Sequence, residues 1–493
     1  MRSVAISVDN ETCYLVIDQG GHATRAIVFD AVGKIVCAAE ASIKTISRNT
    51  LEVEHDPVDL LNSVYSAIDE VYQILGDDYL KIKQAGLATQ RSSIVCWDKQ
   101  SGEALSPIIS WQDRRTSGNL SPYKKHAAYI HDVTGLYLNP HYGATKMRWC
   151  LDNLAEVKQA LEQSRLCIAP MASFILFHLL NKNPFFIDPA NASRSLMMNY
   201  KTLAWQPELL DLFSVSENIL PEIVLTKTSY GDLVRHQHRI PLLLCTGDQS
   251  AAVYSEGRPS ADEVFINAGT GAFVLKSSDQ IPDLKNEKIL TSVVFADKNQ
   301  VSYVVEGTVN GGGRALHWFS EQTGIVEYES QLDQWCADCF DPPIFINAIS
   351  GVGSPYWVAE YASYFTEEAS NEAKFVAVLE SIIFLLAENI ACIQKISGQI
   401  NKIRLAGGIT RSRFFSQKLC NLLQTPVILA QESEATAKGV YYLLSGHTPE
   451  KADAILRGAT FSTPSIISPR NDEKLMARYT RWRRIMSSTF LTH

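Results

Sequence analysis

The stretch Asp18-Gln19-Gly20-Gly21-His22-Ala23-Thr24-Arg25-Ala26-Ile27-Val28-Phe29-Asp30 constrains the fold of this chain more than any other. The apolar run over 13–17 reads as a buried strand that stops at an acid and two glycines, and a second strand resumes over 25–29. A short turn with free backbone N–H groups, a carboxylate at its entrance and a hydroxyl near its tip can hold a phosphate and its metal ion. The same pattern also fits an ordinary hairpin, since a glycine pair between apolar runs is a common turn signal.

Size and charge narrow the choice. With 493 residues, 46% hydrophobic and 20% charged, the chain has the length and composition for two or three globular domains. A net charge of −8 opposes a nucleic-acid partner, because neutralising phosphates needs concentrated Lys and Arg. No run of residues approaches the ~18 consecutive apolar positions that span a bilayer, so no membrane partner is expected. Residues 1–9 lack the apolar core of a signal peptide, which sets the expected location as cytoplasmic. Most of the ten cysteines sit inside apolar runs, and the single C-x-x-C pair, Cys336 and Cys339, has no second pair or spaced histidines to complete a metal site.

Strands and helices alternate along the chain, as α/β layers require. Asp56-Pro57 opens a helix whose expected apolar face is Val58, Leu61, Val64, Tyr65, Ile68, Val71 and Tyr72. Strands over 84–89 and 241–246 end in Gln90-Arg91 and Gly247-Asp248-Gln249, and polar residues just past the carboxyl ends of strands are where open α/β sheets hold ligands. The run 264–275 repeats the opening plan of strand, glycine turn and strand around Gly269-Thr270-Gly271, with a linker at 256–260 between the copies. Two related domains, 1–254 and 255–493, are expected from this echo. A long helix over 374–397, strands over 402–406 and 427–430, and helices from near 412 and over 435–444 follow. The basic tail over 474–484 reads as a solvated surface helix.

These landmarks, together with Val53-Glu54-His55-Asp56-Pro57, Thr89-Gln90-Arg91, Ser110-Trp111-Gln112-Asp113-Arg114-Arg115-Thr116, Ala144-Thr145-Lys146, Asn191-Ala192-Ser193-Arg194, Glu306-Gly307, the run 350–357 and Gly407-Gly408, resemble the FGGY carbohydrate kinases in order and spacing. Within that family the likeness is greatest to the glycerol kinase branch, and it covers nearly the whole chain. The resemblance implies two actin-like, ribonuclease H-type α/β domains flanking a catalytic cleft. It implies an ATP-dependent kinase that phosphorylates a hydroxyl of a small polyol or sugar, with the N-terminal domain holding the acceptor and the C-terminal domain the nucleotide. The alternatives are a kinase for another sugar class such as a pentulose, or a non-catalytic actin-like sensor. Homodimerisation is left open.

The resemblance also assigns roles. Asp248 matches the family's catalytic base, and Arg25 an arginine beside the transferred phosphoryl group. Asp18 would anchor Mg2+. The acceptor would lie among Arg91, Ser92, Trp111, His141, Asp248, Gln249 and Phe273. Ser92 stands where the branch has a glutamate and His141 where it has a tyrosine, which points to a different or larger polyol or ketose. Phosphates of ATP would be met by Gly20, Gly21, His22 and Thr24 in the first turn and by Gly269, Thr270 and Gly271 in the second. Gly313, Gly407, Gly408 and Ser412 complete the nucleotide side. Gly21-His22 replaces two hydroxyl residues of the family pattern, and a lone loop histidine is also read as a solvent-exposed bystander.

Overall fold

The computed structural model describes residues 12–284, 287–430, 434–446 and 465–490; residues 1–9, read above for a leader, lie outside them. Among the described residues, 12–259, 292–303 and 434–446 make one compact unit, and 260–284, 287–291, 304–430 and 465–490 a second. The chain first passes between units at Pro259 and Ser260, inside the segment read as a linker.

The first unit is built on a six-stranded sheet in the order Lys227–Arg235, His238–Gly247, Ile82–Thr89, Cys13–Gln19, Ala23–Phe29 and Ile35–Ser42. The three central strands run parallel, which requires crossovers, and antiparallel hairpins close both edges. The helix Pro57–Leu75 supplies one crossover. Asp56 caps it by accepting from the N–H groups of Val58 at 2.8 Å and Asp59 at 2.9 Å, and Pro57 fills the first turn. Its buried stripe is Leu60, Val64, Ala67, Ile68, Val71 and Tyr72, while Val58 is 63% exposed. The expected face therefore began on the wrong residue: Val58 sits two positions from Leu60, about 200° around a helix of 3.6 residues per turn. A smaller five-stranded sheet, Ile46–Ser47, Val53–His55, Ile108–Ile109, Ile94–Asp98 and Leu166–Pro170, carries the loop around Trp111, while His141 lies between the helices Ala127–Thr134 and Gly143–Asn153.

The helix Ala435–Ser445 also belongs to this unit, far from it in sequence. Tyr441 stacks on Phe29 with centroids 5.1 Å apart, and Lys227 Nζ donates to the helix-terminal carbonyls of Leu443 at 2.8 Å and Leu444 at 3.0 Å. A side chain at Gly439 would fall onto the Ala251 carbonyl.

The second unit has a sheet in which residues 304–309 of the strand Val301–Val309 are followed in order by Ala272–Ser278, Glu263–Ala268, Lys402–Ala406, Val427–Leu429 and Ile466–Ile467. Its opening hairpin repeats that of the first unit. In each, two antiparallel strands flank a three-residue turn, and the first strand pairs parallel with a later one. The helix Asn371–Ser397 is long and apolar enough to cross a membrane, yet it forms the centre of this unit's core, with Ser370 as its cap.

The C-terminal helix Glu473–Phe490 corrects the reading of the basic tail. Leu475, Trp482 and Met486, spaced for one helical face, are fully buried, and Arg478 is 8% exposed. Arg478 grips buried Glu380 through Nε at 2.8 Å and Nη2 at 2.6 Å, and Lys418 binds the same carboxylate at 2.8 Å.

Candidate active site

In the first unit, sheet register gathers the charged residues. Thr89 is level with both Gln19 and Gly247, so Asp18, Arg91 and Asp248 all emerge at the carboxyl edge of three adjacent parallel strands. Antiparallel pairing also sets Asp18 level with Arg25.

Asp248 opens the short helix Asp248–Ala252 directly after its strand. Arg91 Nε lies 3.8 Å from Asp248 Oδ1, and the same guanidinium reaches Gln249 Oε1 and, at 3.4 Å, Ser250 Oγ. The backbone N–H of Gln249 donates to Asp248 Oδ1 at 2.6 Å. Gly247 must lack a side chain, because a Cβ would fall onto the Arg91 stem. Burial pushes the Asp248 carboxyl above the usual range, partly offset by Arg91, the Gln249 N–H and Arg194. Burial, then repulsion from Asp248, pushes Asp18 up to about 7, with Arg25 opposing and Glu434 adding.

The turn after Asp18 is fastened from below. Gly20 N–H donates to Ala23 O at 2.9 Å, Gln90 N–H to Gln19 O at 2.9 Å, and Gln19 Nε2 to Gly20 O at 2.6 Å. At Gly21 an added Cβ would meet nothing closer than Trp111 Nε1 at 3.9 Å, so space does not demand glycine there. The His22 ring is exposed and its carbonyl accepts from Ile43 N–H. Thr24 departs from its expected place: it is fully buried, with its hydroxyl 2.7 Å from Ser63 Oγ, turned into the core beneath the turn. Arg25 is held at the surface by Glu40 at 2.6 Å and Glu434 at 3.5 Å.

Ser92, Trp111 and His141 come together around a residue that the motif reading quoted but gave no role. Lys146 is fully buried, and its Nζ donates to the carbonyls of Ser92, Ser110 and His141. Burial pulls its pKa down to about 7, with Asp113 countering. The only hint in the sequence was a lysine set among Ala144, Met147 and Cys150. The rings of Trp111 and His141 meet edge to face at 5.7 Å. Burial, with Lys146, Arg194 and Arg91 nearby, holds His141 neutral, its pKa well below the ordinary range. Ser92 has φ +65° and a buried hydroxyl with no hydrogen-bond partner among the described residues. Arg194, buried and donating to Ser292 Oγ at 3.2 Å, likewise went unassigned, because nothing in its local sequence separates a buried arginine from a surface one.

The second unit carries Phe273 and the remaining expected nucleotide residues. Gly269 N–H closes the turn on Gly271 O at 2.9 Å, and Thr270 is exposed at its tip. The helix Gly313–Thr323 seats its first turn here, Gly313 N–H donating to Gly269 O at 2.8 Å and Arg314 N–H to Thr270 O at 3.0 Å. A Cβ on Gly312 would come within 2.7 Å of the Gly271 backbone. Gly407, at φ +104°, lies against the Ala268 backbone, whereas Gly408 faces open space. Ser412 is engaged in structure: its hydroxyl donates to Asp333 Oδ1 at 2.6 Å and accepts from Phe415 N–H at 3.2 Å to cap the helix Arg413–Leu423.

Comparison with known proteins agrees with this architecture. The models of the FGGY family of carbohydrate kinases match in succession, the N-terminal domain over residues 13–255 and the C-terminal domain over 264–445. A glycerol kinase of Borreliella burgdorferi is 32% identical over 443 residues, 87% of this chain and 88% of the relative. Glycerol kinase 1 of Thermotoga maritima is 29% identical over 443 residues, 88% of this chain and 90% of its own. The crystal structure of Plasmodium falciparum glycerol kinase with ADP superposes with a TM-score of 0.87 at 23% identity, covering 98% of this chain and 99% of the other.

Proposed function

We propose, for a chain that belongs to the FGGY family of carbohydrate kinases and is thus an ATP-dependent sugar or polyol kinase, that Asp248 is the general base and that glycerol or a close relative is the acceptor. The observation that carries the reading is the meeting of Asp18, Arg91 and Asp248 at one sheet edge. An acceptor hydroxyl beside Asp248 gives up its proton to the carboxylate as its oxygen bonds to the γ-phosphorus, and the bond from that phosphorus to the bridging oxygen of ADP breaks. Arg91 and Gln249 orient the acceptor's other hydroxyls, and Trp111 covers its carbons. Arg25 offsets charge on the transferred group. Gly21 in the turn of the first unit, and Thr270 and Gly271 in that of the second, offer backbone N–H groups to phosphates, those of Gly20 and Gly269 being spent on Ala23 O and Gly271 O.

Mg2+ fits the donor set. Asp18 and Asp248 are two partly buried carboxylates that repel each other, which a divalent cation relieves, and Mg2+ needs few protein ligands beyond water and phosphate. Bound there, it would neutralise phosphate charge; Asp18 is the residue that would hold it.

A pentulose is the second reading. It is favoured by the unpaired Ser92 hydroxyl, which a substrate hydroxyl would satisfy. Release of ADP from Mg-ATP, measured against a panel of polyols, ketoses and aldoses, tests both. Glycerol should stimulate release, and Asp248→Asn should reduce acceptor-dependent turnover at least a thousandfold. The reading fails if no acceptor raises ADP release above background, or if Asp248→Asn keeps full turnover. A pentulose accepted well ahead of glycerol selects the second reading.

A further inference from the structure

Lys146 joins three segments from distant parts of the chain. It lies on the helix Gly143–Asn153 and donates to Ser92 O at 3.2 Å, Ser110 O at 2.7 Å and His141 O at 2.9 Å. Three acceptors and three ammonium protons are thereby matched. Asp113, the carboxylate that acts on it most strongly, is already bound by Arg115 at 2.8 Å.

A charge buried on neutral carbonyls is a poor device for stability alone. Methionine has a similar length and would fill the space without the cost of desolvating an ammonium. What the charge does supply is direction. Its three partners are the carbonyls of Ser92, of His141, and of the residue preceding Trp111. Ser92 sits in the left-handed region at φ +65°, an unfavourable conformation for a serine, with its carbonyl held by the ammonium. Trp111 is fixed a second time, by its N–H to Ser93 Oγ at 3.0 Å. The lysine's own helix is seated by Thr145 Oγ1 against Thr116 Oγ1 at 2.9 Å.

We infer that Lys146 is a positioning residue for acceptor selection, a single ammonium that sets the places of Ser92, Trp111 and His141 relative to one another. This rests on the acceptor wall proposed above. Removing the ammonium frees three backbone segments that would form one side of the acceptor site, and removes no hydrogen bond made by the turns assigned to the phosphates.

The test is steady-state kinetics of Lys146→Met beside the parent enzyme, with the fold checked by circular dichroism and thermal melting. The acceptor KM should rise at least tenfold while the KM for ATP stays within twofold. An acceptor KM within twofold of the parent overturns the inference, and so does a parallel rise in both KM values, which is the signature of a merely structural loss. If Lys146→Met does not fold, Lys146→Arg decides. Its guanidinium keeps the charge, but its longer stem displaces at least one carbonyl, so the acceptor KM must rise with the KM for ATP unchanged, and an unaltered acceptor KM refutes the role. Absence of any acceptor for the parent enzyme overturns both this inference and the proposed function. An active parent with an indifferent Lys146→Met overturns this inference alone.

Discussion

Replacing Glu380 by glutamine should loosen the C-terminal helix without releasing it. Glu380 is 1% exposed and is the sole carboxylate found binding both Lys418 and Arg478 among the described residues. Glutamine keeps the shape but strands two buried cations, a loss of about 3–5 kcal/mol. Opposing that loss, the helix Glu473–Phe490 buries Leu475, Trp482 and Met486, worth about 2–3 kcal/mol each and about 6–9 together as an upper limit. Tyr479 and Trp482 also meet Phe384 with centroids 5.5 and 5.6 Å away. The apolar contacts win, so the helix stays docked. Its open fraction should nevertheless grow by a factor of about 10² to 4 × 10³. Hydrogen exchange of peptides covering 473–490 reads this directly. The combined variant Glu380→Met, Lys418→Met and Arg478→Met removes all three charges and should exchange no faster than the parent. Exchange in Glu380→Gln within threefold of the parent would refute the reasoning, as would a triple variant that exchanges faster than Glu380→Gln.

Other consequences are as direct. Gly439→Ala puts a methyl onto the Ala251 carbonyl in the helix that begins with Asp248; a cost of about 1–3 kcal/mol is expected, seen as a lower melting temperature together with reduced kcat. Arg91→Lys cannot reach Asp248, Gln249 and Ser250 at once, so the acceptor KM should rise about tenfold with the KM for ATP unchanged. His141 is held below the ordinary histidine range, so the titration midpoint of its ring proton resonances should lie below the ordinary value of about 6.5; a midpoint at or above it would count against that desolvation. Asp18 is raised from 3.8 to about 7. The folded metal-free protein therefore keeps a proton that the unfolded chain has lost, so this contribution to stability is complete below about pH 4 and declines as the pH climbs to about 7. Denaturant unfolding of Asp18→Asn should lack that decline.

Much of the fold was legible because it is written locally. The strand Lys402–Ala406 has the bounds its apolar run predicts, and both hairpins lie where glycine turns interrupt apolar runs. The echo between the two turns survives as the same pairing plan in two sheets. Helix faces were less legible. Val58 was expected inside and is exposed, because composition near a helix start does not say where the stripe begins. The segment 474–484 was read as a solvated helix because five of its eleven residues are basic. A buried arginine cannot be told from an exposed one until its carboxylate partner is known, and that partner lies 98 residues away.

The candidate site divides the same way. Residue order alone placed acids, glycines and arginines at the ends of strands, because periodicity and turn chemistry act over a few residues. With the family resemblance it marked Asp18, Arg91 and Asp248 as candidates in three separate places. Sheet register then made them neighbours, since hydrogen bonding aligns strands that are distant in sequence. Tertiary packing alone turned Thr24 into the core, committed Ser412 to a helix cap, joined the helix Ala435–Ser445 to the first unit and set Lys146 beneath Ser92, Trp111 and His141. A side chain's environment is made by whatever arrives from elsewhere in the chain, and burial, direction and pKa are all properties of that environment.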